Sequence, residues 1–238
     1  MKVFSSGSCR LLTALQNGRG KIEPIHSIIC NITGINTLGM LHNIKQHIQF
    51  IKWLKHDLYI PESILSLFLL SYRTPDQRDK MDPYEQNPIK KKAIQDSFDD
   101  CEFYIFEICS LKIYEKNGYQ ILYLYDTLED CTQSIQTELE LYNDLKILRE
   151  LIPNKKIIFQ VHFRPNIIYN NESNAVNNRE SIYNAVEKFC KEFNNTYLYD
   201  PSIILQKNNT LFDGDTHFTE RGEEESFNFL YNNFITLT

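Results

Sequence analysis

Two short segments near the two ends of the 238-residue chain carry side chains suited to nucleophilic chemistry. Ser8 and Cys9 follow Gly7 and offer a hydroxyl and a thiol, which attack carbonyl carbons once their proton is removed. Asp215 lies two residues before His217, and a carboxylate in this position fixes the imidazole tautomer and stabilises the imidazolium. These residues predict a catalytic centre with His217 as base, Asp215 as its partner, and Ser8 or Cys9 as nucleophile.

Each of these residues also has a purely structural interpretation, which the sequence leaves open. Ser8 could cap the first helix, because serine is a preferred residue before a helix. Cys9 could be a small buried apolar residue, the common fate of a free cysteine. His217 and Asp215 could form a hydrogen-bonded surface turn that leads into the last helix.

Further polar residues follow predicted strands and are expected to bind substrate or cofactor. Arg10 offers a guanidinium that suits a phosphate or carboxylate, although a solvated arginine is an equal alternative. His162 and Arg164 lie at the end of a predicted buried strand, and Glu107 lies at the end of another. Because parallel strands present their carboxyl ends at one edge of a sheet, we expect these side chains to meet there.

The histidines do not predict a metal site. His42, Asn43 and His47 fall on a predicted helix over 40–58, where solvated positions are expected. Lining of the cleft by His42 and Asn43, which closely follow a predicted turn, is the alternative. No HxxxH pair is accompanied by a suitably placed carboxylate, so we expect no bound metal.

Strands that alternate with helices predict an α/β fold in three αβα layers, with a mainly parallel central sheet and extra helices in the middle of the chain. The predicted strands are Lys2–Phe4, His26–Cys30, Phe103–Ile108, Ile157–Phe163 and Tyr197–Tyr199, and Leu111–Tyr125 is a predicted hairpin about Asn117-Gly118. The predicted helices are Cys9–Leu15, Met40–Leu58, Pro61–Ser71, Pro88–Phe98, Leu128–Ile152, Glu180–Phe193 and Glu220–Phe234.

The glycine-serine turn after a first strand, with Asp, His, Thr and Gly opening the last helix, resembles the SGNH/GDSL hydrolase superfamily. Gly7-Ser8-Cys9 is more similar still to the Gly-Ser-Cys or Gly-Asn-Cys opening of GSCFA-type and WcbI-like polysaccharide-biosynthesis proteins. The resemblance covers about the first fifteen residues and the chain from Phe159 onward. It implies an SGNH/flavodoxin-like sheet.

The chain departs from the superfamily pattern in three places. Gly214 stands where the superfamily has Asp three residues before His, and the Asp215 spacing is instead similar to the DxH form of polysaccharide O-acetyltransferases. Alignment on Gly7 places Cys9 where the superfamily serine stands. No Gly-x-Asn-Asp block is visible, so the oxyanion-binding residues do not follow from the resemblance, and Gly34, Asn36 and Asn166 are the candidates for this role.

The resemblance implies an acyltransferase that moves acetyl from acetyl-CoA, as a co-substrate rather than a permanently bound cofactor, to a hydroxyl or amino group of a sugar. A carbohydrate esterase that uses water as acceptor is the alternative, and a non-catalytic domain that binds glycan or nucleotide is a third. The polar segment Thr74–Asn87, with Arg73 nearby, is a candidate to close over a pantetheine arm.

Composition narrows the class of protein. A net charge of −6 argues against general binding of nucleic acid. The six cysteines are scattered without a CxxC pair, which does not indicate a zinc site or a disulfide scaffold. No apolar run is long enough to span a bilayer. We expect a cytoplasmic protein whose partner is a small molecule or a glycan. We expect residues 1–238 to form a single catalytic domain, which could be the N-terminal domain of a longer chain.

Overall fold

The structure, a computed structural model, describes residues 2–16, 20–24, 41–55, 57–69, 96–122, 129–164, 174–205, 209–213 and 217–236. In chain order the elements are β1 (Lys2–Ser6), α1 (Cys9–Gln16), β2 (Glu23–Pro24), α2 (Ile44–Leu54), α3 (Glu62–Leu69), β3 (Phe103–Ile108), β4 (Lys112–Lys116), β5 (Tyr119–Gln120), β6 (Cys131–Ile135), α4 (Glu138–Leu151), β7 (Lys156–Val161), α5 (Asn174–Glu192), β8 (Thr196–Tyr199), α6 (Ser202–Leu205), β9 (Phe212–Asp213), β10 (His217–Phe218) and α7 (Glu220–Leu230). A short 3₁₀ turn (Asn209–Leu211) precedes β9, and a π-helix (Tyr231–Ile235) follows α7.

Five parallel strands form the central sheet, in the order β2-β1-β3-β7-β8. Numbered among themselves along the chain, these strands run 2-1-3-4-5, which is the flavodoxin-like order. The chain reverses its direction of winding between β1 and β3, and ligands of such sheets bind beyond the carboxyl ends of the two strands at this switch point.

Helices cover both faces of the sheet, which confirms the predicted three-layer α/β fold. On one face α2, α4 and α5 pack against the sheet through an apolar cluster that includes Phe106 and Phe159. On the other face α1 and α7 pack through a second cluster that includes Ile105 and Ile158. Both faces of β3 and β7 are therefore buried, which explains their nearly continuous apolar sequences.

A separate antiparallel sheet, β5-β4-β6, lies beside the core. Its β4–β5 turn confirms the predicted hairpin, because Asn117 and Gly118 adopt the positive φ angles of 54° and 81° that a tight turn of this kind requires. The helix predicted over Leu128–Ile152 is wrong in its first part, where Cys131–Ile135 forms β6. The helix begins only at Glu138, because Thr137 caps it.

Two further boundaries correct the sequence predictions. The helix predicted from Met40 begins at Ile44, because Asn43 accepts a hydrogen bond from the Gln46 N–H and caps the helix. Asn43 and His47 are buried rather than solvated, since α2 packs against the sheet. The helix predicted from Glu180 begins six residues earlier, at Asn174. The predicted strand His26–Cys30 and the segment Thr74–Asn87 lie outside the described residues.

The described residues include no helix that is both long enough and apolar enough to cross a bilayer. Within the same residues, no group of three or more His, Cys, Asp or Glu side chains is arranged to hold a metal ion. Cys101, Cys109, Cys131 and Cys190 are free thiols.

Candidate active site

The first turn of α1 lies at the switch point of the sheet. β1 ends at Ser6, and α1 begins at Cys9. The carbonyl of Ser8 accepts a hydrogen bond from the N–H of Leu12 at 3.1 Å, so Ser8 is the last residue before the helix. The Gly-Ser-Cys segment therefore occupies the edge where ligands of this fold bind, as the sequence predicts.

Gly7 is required by a close approach between the ends of β1 and β3. A Cβ atom added at this position would lie 2.5 Å from the Cβ of Glu107, which is closer than two non-bonded carbon atoms approach in proteins. The glycine thus allows Glu107 to lie directly beneath the turn.

Glu107 anchors this turn through three hydrogen bonds. Its Oε2 accepts from the Ser8 N–H at 2.7 Å and from the Ser8 hydroxyl at 2.5 Å. Its Oε1 accepts from the Nε–H of Arg10 at 2.8 Å. All three side chains are buried, with exposed fractions of 0% for Glu107, 1% for Ser8 and 8% for Arg10.

The carboxylate of Glu107 remains ionised although it is fully buried. Burial alone would raise the pKa of Glu107, but the charge of Arg10 and the hydrogen bonds from Ser8 and Arg10 hold it below the ordinary value. Glu107 is therefore a stable anion and a weak base, so its contact with the Ser8 hydroxyl positions that hydroxyl without activating it.

His47 connects α2 to the same edge of the sheet. Its Nε2 lies 2.9 Å from the Glu107 carbonyl oxygen and its Nδ1 lies 3.1 Å from the Ser6 hydroxyl. Because a carbonyl can only accept, Nε2 carries the hydrogen, and Nδ1 accepts from Ser6. Burial lowers the pKa of His47 to about 4, so the ring is neutral near pH 7.

His42 and His162 complete this polar layer. The carbonyl of His42 accepts from the N–H groups of Cys109 and Ser110 just after β3, each at 2.9 Å. Burial lowers the pKa of His42 to about 4, while the charge of Glu107 opposes this shift and that of Arg10 adds to it. Burial and the charge of Arg10 likewise hold the pKa of His162 well below its ordinary value. Arg10 therefore lies within electrostatic reach of both rings.

Arg164 is engaged within the protein at the carboxyl ends of β7 and β8. Its Nη2 donates to Asp200 at 2.7 Å, its Nη1 lies 3.2 Å from Glu180, and its guanidinium carbon lies 3.7 Å from the centre of the Tyr183 ring. The N–H of Arg164 also donates to the Ser202 hydroxyl. Through these contacts Arg164 connects the end of β7 to α5 and α6.

His217 is exposed on β10, opposite Asp213 in the two-stranded β9–β10 pair. The next residue, Phe218, lies 6.2 Å from Phe163, ring centre to ring centre, which places β10 beside the chain that follows β7. Thr219 caps α7, because its hydroxyl accepts a hydrogen bond from the N–H of Gly222. The Asp215 partner, Gly34, Asn36, Asn166 and the side chain of Cys9 lie outside the described part of the chain.

The sequence predicts Glu107 as a residue that binds substrate or cofactor, but it does not predict any role for Gln160. Glu107 and Gln160 are register neighbours on β3 and β7. One signal is present in the sequence, because each is a lone polar residue that follows an apolar run near the carboxyl end of its strand. The identity of their neighbours follows only from the strand order.

The fold is similar to two solved structures. A member of the lipolytic protein G-D-S-L family from Veillonella parvula DSM 2008 is 13% identical, with a TM-score of 0.47 over 100% of both chains. A family 3 carbohydrate esterase from Clostridium thermocellum is also 13% identical, with a TM-score of 0.39 over 99% of this chain and 95% of that chain. Similarity at this level does not indicate a shared activity. No curated protein matches the sequence.

A family model described as the TviD N-terminal domain matches residues 1–134. The matched span includes β1, α1 and β3, and therefore the hydrogen-bonded group of Ser8, Arg10 and Glu107. His162 and His217 lie beyond it. Because the match covers more than half of the chain, the protein belongs to the TviD N-terminal domain family.

Proposed function

We propose that the protein transfers an acetyl group from acetyl-CoA to a hydroxyl or amino group of a sugar, with Cys9 as nucleophile and His217 as base. The observation that carries this proposal is the pair of hydrogen bonds from Ser8 to Glu107 at the switch point. They fix the residue that immediately precedes α1, and hence the start of that helix at Cys9. The N–H groups at the amino end of a helix stabilise an anion, which is the charge of a thiolate or a tetrahedral intermediate.

Cys9 is favoured over Ser8 as the nucleophile because the Ser8 hydroxyl is already hydrogen-bonded to Glu107. That hydroxyl is buried and donates to a carboxylate whose pKa lies below its ordinary value. Such a carboxylate is too weak a base to deprotonate an alcohol. A thiol needs much less help, because a thiolate forms near neutral pH and is strongly nucleophilic.

His217 is favoured as the base because it is exposed and close to the same face of the sheet. α7, which begins directly after β10, packs against α1. Phe218 contacts the cluster that also holds Leu11 of α1. By contrast, His42 and His47 are held neutral with pKa values of about 4, which makes them poor proton acceptors near pH 7.

The proposed reaction has two acyl-transfer steps. His217 takes the proton of Cys9, and the thiolate attacks the thioester carbonyl carbon, forming the acetyl-cysteine. The bond from that carbon to the sulfur of coenzyme A breaks, and the departing thiolate takes the proton from His217. In the second step His217 takes the proton of the sugar hydroxyl as its oxygen attacks the acetyl-cysteine, and that proton passes to the released sulfur of Cys9.

The choice of acetyl-CoA and a sugar is supported by the resemblance of Gly7-Ser8-Cys9 and of the Asp215–His217 spacing to polysaccharide-biosynthesis proteins. Use of acetyl-CoA places the proposed reaction inside the cell. The similarity to WcbI-like proteins in particular stays a prediction.

Incubation of the protein with acetyl-CoA and a panel of amino sugars and nucleotide sugars tests the proposal. We expect release of free coenzyme A thiol that depends on the sugar, together with a product heavier by one acetyl group in the mass spectrum. Turnover of p-nitrophenyl acetate without any sugar acetylation would replace the transferase by an esterase. Absence of both activities would leave a non-catalytic binding domain.

Two paired variants identify the nucleophile. Cys9→Ala is expected to reduce turnover about a thousandfold or more, as loss of a nucleophile does in other enzymes. Ser8→Ala keeps the N–H bond to Glu107 and loses only the hydroxyl bond, so about a tenfold reduction is expected. Acetyl on Cys9, seen by mass spectrometry of the unmodified protein incubated with acetyl-CoA in the absence of sugar, would show the covalent step directly. The reverse order of the two variants would make Ser8 the nucleophile.

A further inference from the structure

A pair of acceptor atoms lies along β7 on the face that also carries the anchored turn of α1. Gln160 and His162 are separated by one residue, so their side chains leave the strand on the same side. Ile158, two residues earlier, packs in the cluster that includes Leu11, which identifies this side as the face covered by α1 and α7.

Gln160 is buried at the carboxyl end of β7, with an exposed fraction of 1%. Its register neighbours are Glu107 on β3 and Tyr199 on β8. The Oε1 atom of Gln160 accepts no hydrogen bond from the part of the chain that the structure describes. A buried acceptor without a donor lowers stability, so its retention beside the candidate site suggests that a ligand supplies the donor.

Two other buried glutamines show why the place of Gln160 matters. The Oε1 atoms of Gln120 and Gln136 also lack a donor within the described residues. Their amide nitrogens, however, donate to the carboxylates of Glu115 and Asp144, which gives each side chain a structural role. Both lie away from the parallel sheet, at or beside the antiparallel sheet, whereas Gln160 is next to Glu107.

His162 offers a second acceptor on the same side of β7. Its Nδ1 lies 3.1 Å from the Phe163 carbonyl oxygen, which can only accept, so the hydrogen is on Nδ1. The ring is neutral, because it is buried and the positive charge of Arg10 acts on it. The lone pair of the neutral ring is therefore on Nε2.

We propose that Oε1 of Gln160 and Nε2 of His162 accept hydrogen bonds from two donor groups, hydroxyl or amino, of the sugar that receives the acyl group. The identity of the ligand as an acyl acceptor rests on the proposed function, whereas the pair of acceptors rests on β7 alone. Two fixed acceptors select a substrate with two correctly spaced donors and reject an analogue that lacks one, because a buried acceptor would then be left unpaired.

The test compares Gln160→Met with the matched variant Gln136→Met. Methionine has a similar shape and offers no strong acceptor. Gln160→Met is expected to raise the KM for the sugar at least tenfold, with a smaller change in kcat, while its Tm stays equal to or above that of the unmodified protein. Gln136→Met is expected to lower Tm, because it loses the bond to Asp144, and to leave the KM unchanged.

A lower Tm together with an unchanged KM for Gln160→Met would show that the amide serves the fold, and would overturn the proposal. If the unmodified protein acetylates no sugar, the proposed function fails, and calorimetry with the same sugars then decides the inference. Loss of sugar binding in Gln160→Met but not in Gln136→Met would support it. Absence of sugar binding at millimolar concentration by the unmodified protein would overturn it.

Discussion

Glu107 and Arg10 form a charge pair that has almost no exposed surface. Such pairs contribute little net stability when intact, since both charges lose their hydration. Removal of one partner is costly, because the other charge remains buried and uncompensated. This asymmetry makes the pair an effective anchor for the turn before α1.

We therefore expect Glu107→Gln to lower the free energy of unfolding by about 3–5 kcal/mol. The amide oxygen can still accept from Ser8 but cannot compensate the charge of Arg10. Urea denaturation measures the loss. Glu187→Gln is the control, because Glu187 pairs with Lys191 at the surface, where side-chain exposures are 38% and 69% and the pair contributes less than about 1 kcal/mol. Equal losses in the two variants would contradict the buried-anchor role.

Gly7 gives a second prediction at this scale. Gly7→Ala adds a Cβ 2.5 Å from the Cβ of Glu107, and the two strand ends must separate to relieve the contact. Overpacking of this kind costs about 1–3 kcal/mol, and turnover is expected to fall with it, since the start of α1 moves. An unchanged urea midpoint with full activity would show that the turn does not depend on this close approach.

At the scale of elements, the sequence predicts a strand or helix well where burial and local propensity agree. The bounds Phe103–Ile108 are predicted correctly, because every residue of β3 is buried and the apolar run is almost unbroken. β6 is missed because most of Cys131–Ile135 is exposed at the edge of a small sheet and carries no apolar pattern. Its strand conformation comes from pairing with β4, which is a tertiary interaction.

In the candidate site, too, local features can be predicted from the sequence, whereas contacts between distant residues cannot. The positions of Ser8 and Arg10 at a strand–helix junction can be predicted, because a glycine turn and helical periodicity are local signals. The contact of both residues with Glu107 spans nearly a hundred positions and depends on β1 pairing with β3. The neighbour relation of Glu107 and Gln160 depends likewise on β7 being the next strand in the sheet.

Helix caps provide the prediction at this scale. Asn43 caps α2, is buried, and also donates through its amide nitrogen to the Lys112 carbonyl of β4 at 3.0 Å. Asn43→Ala loses both bonds, so a loss near the upper end of the range for caps, about 2 kcal/mol, is expected. Thr137→Ala, at the exposed cap of α4, is the matched control and should cost clearly less. A larger loss for Thr137→Ala, measured by urea denaturation, would contradict this order.

At the scale of the whole molecule, one buried polar layer joins both halves of the sheet. His47 from α2, His42 before it, and His162 after β7 surround the charge pair from different parts of the chain. The pKa values of all three rings are lowered, so the rings are neutral in the folded protein near pH 7. The stability of the fold is therefore coupled to pH through groups that belong to one site.

This coupling has a definite sign. The pKa values of His42 and His47 are about 4 in the folded protein, against 6.5 for an exposed histidine, so below pH 6.5 the unfolded chain binds protons that the folded protein does not. The free energy of unfolding therefore keeps its full value above pH 6.5. It decreases as pH falls toward 4, by up to about 1.4 kcal/mol per pH unit for each ring. Glu107, whose pKa is lowered, acts in the same direction at lower pH, because protonation removes its pairing with Arg10.

Urea denaturation between pH 7 and 4.5 measures the slope. His47→Gln can keep one bond, to Ser6 or to the Glu107 carbonyl, but its side chain cannot titrate. We expect the free energy of unfolding of this variant to depend less steeply on pH, by up to the contribution of one ring, about 1.4 kcal/mol per pH unit. An unchanged slope would show that His47 is not among the groups responsible.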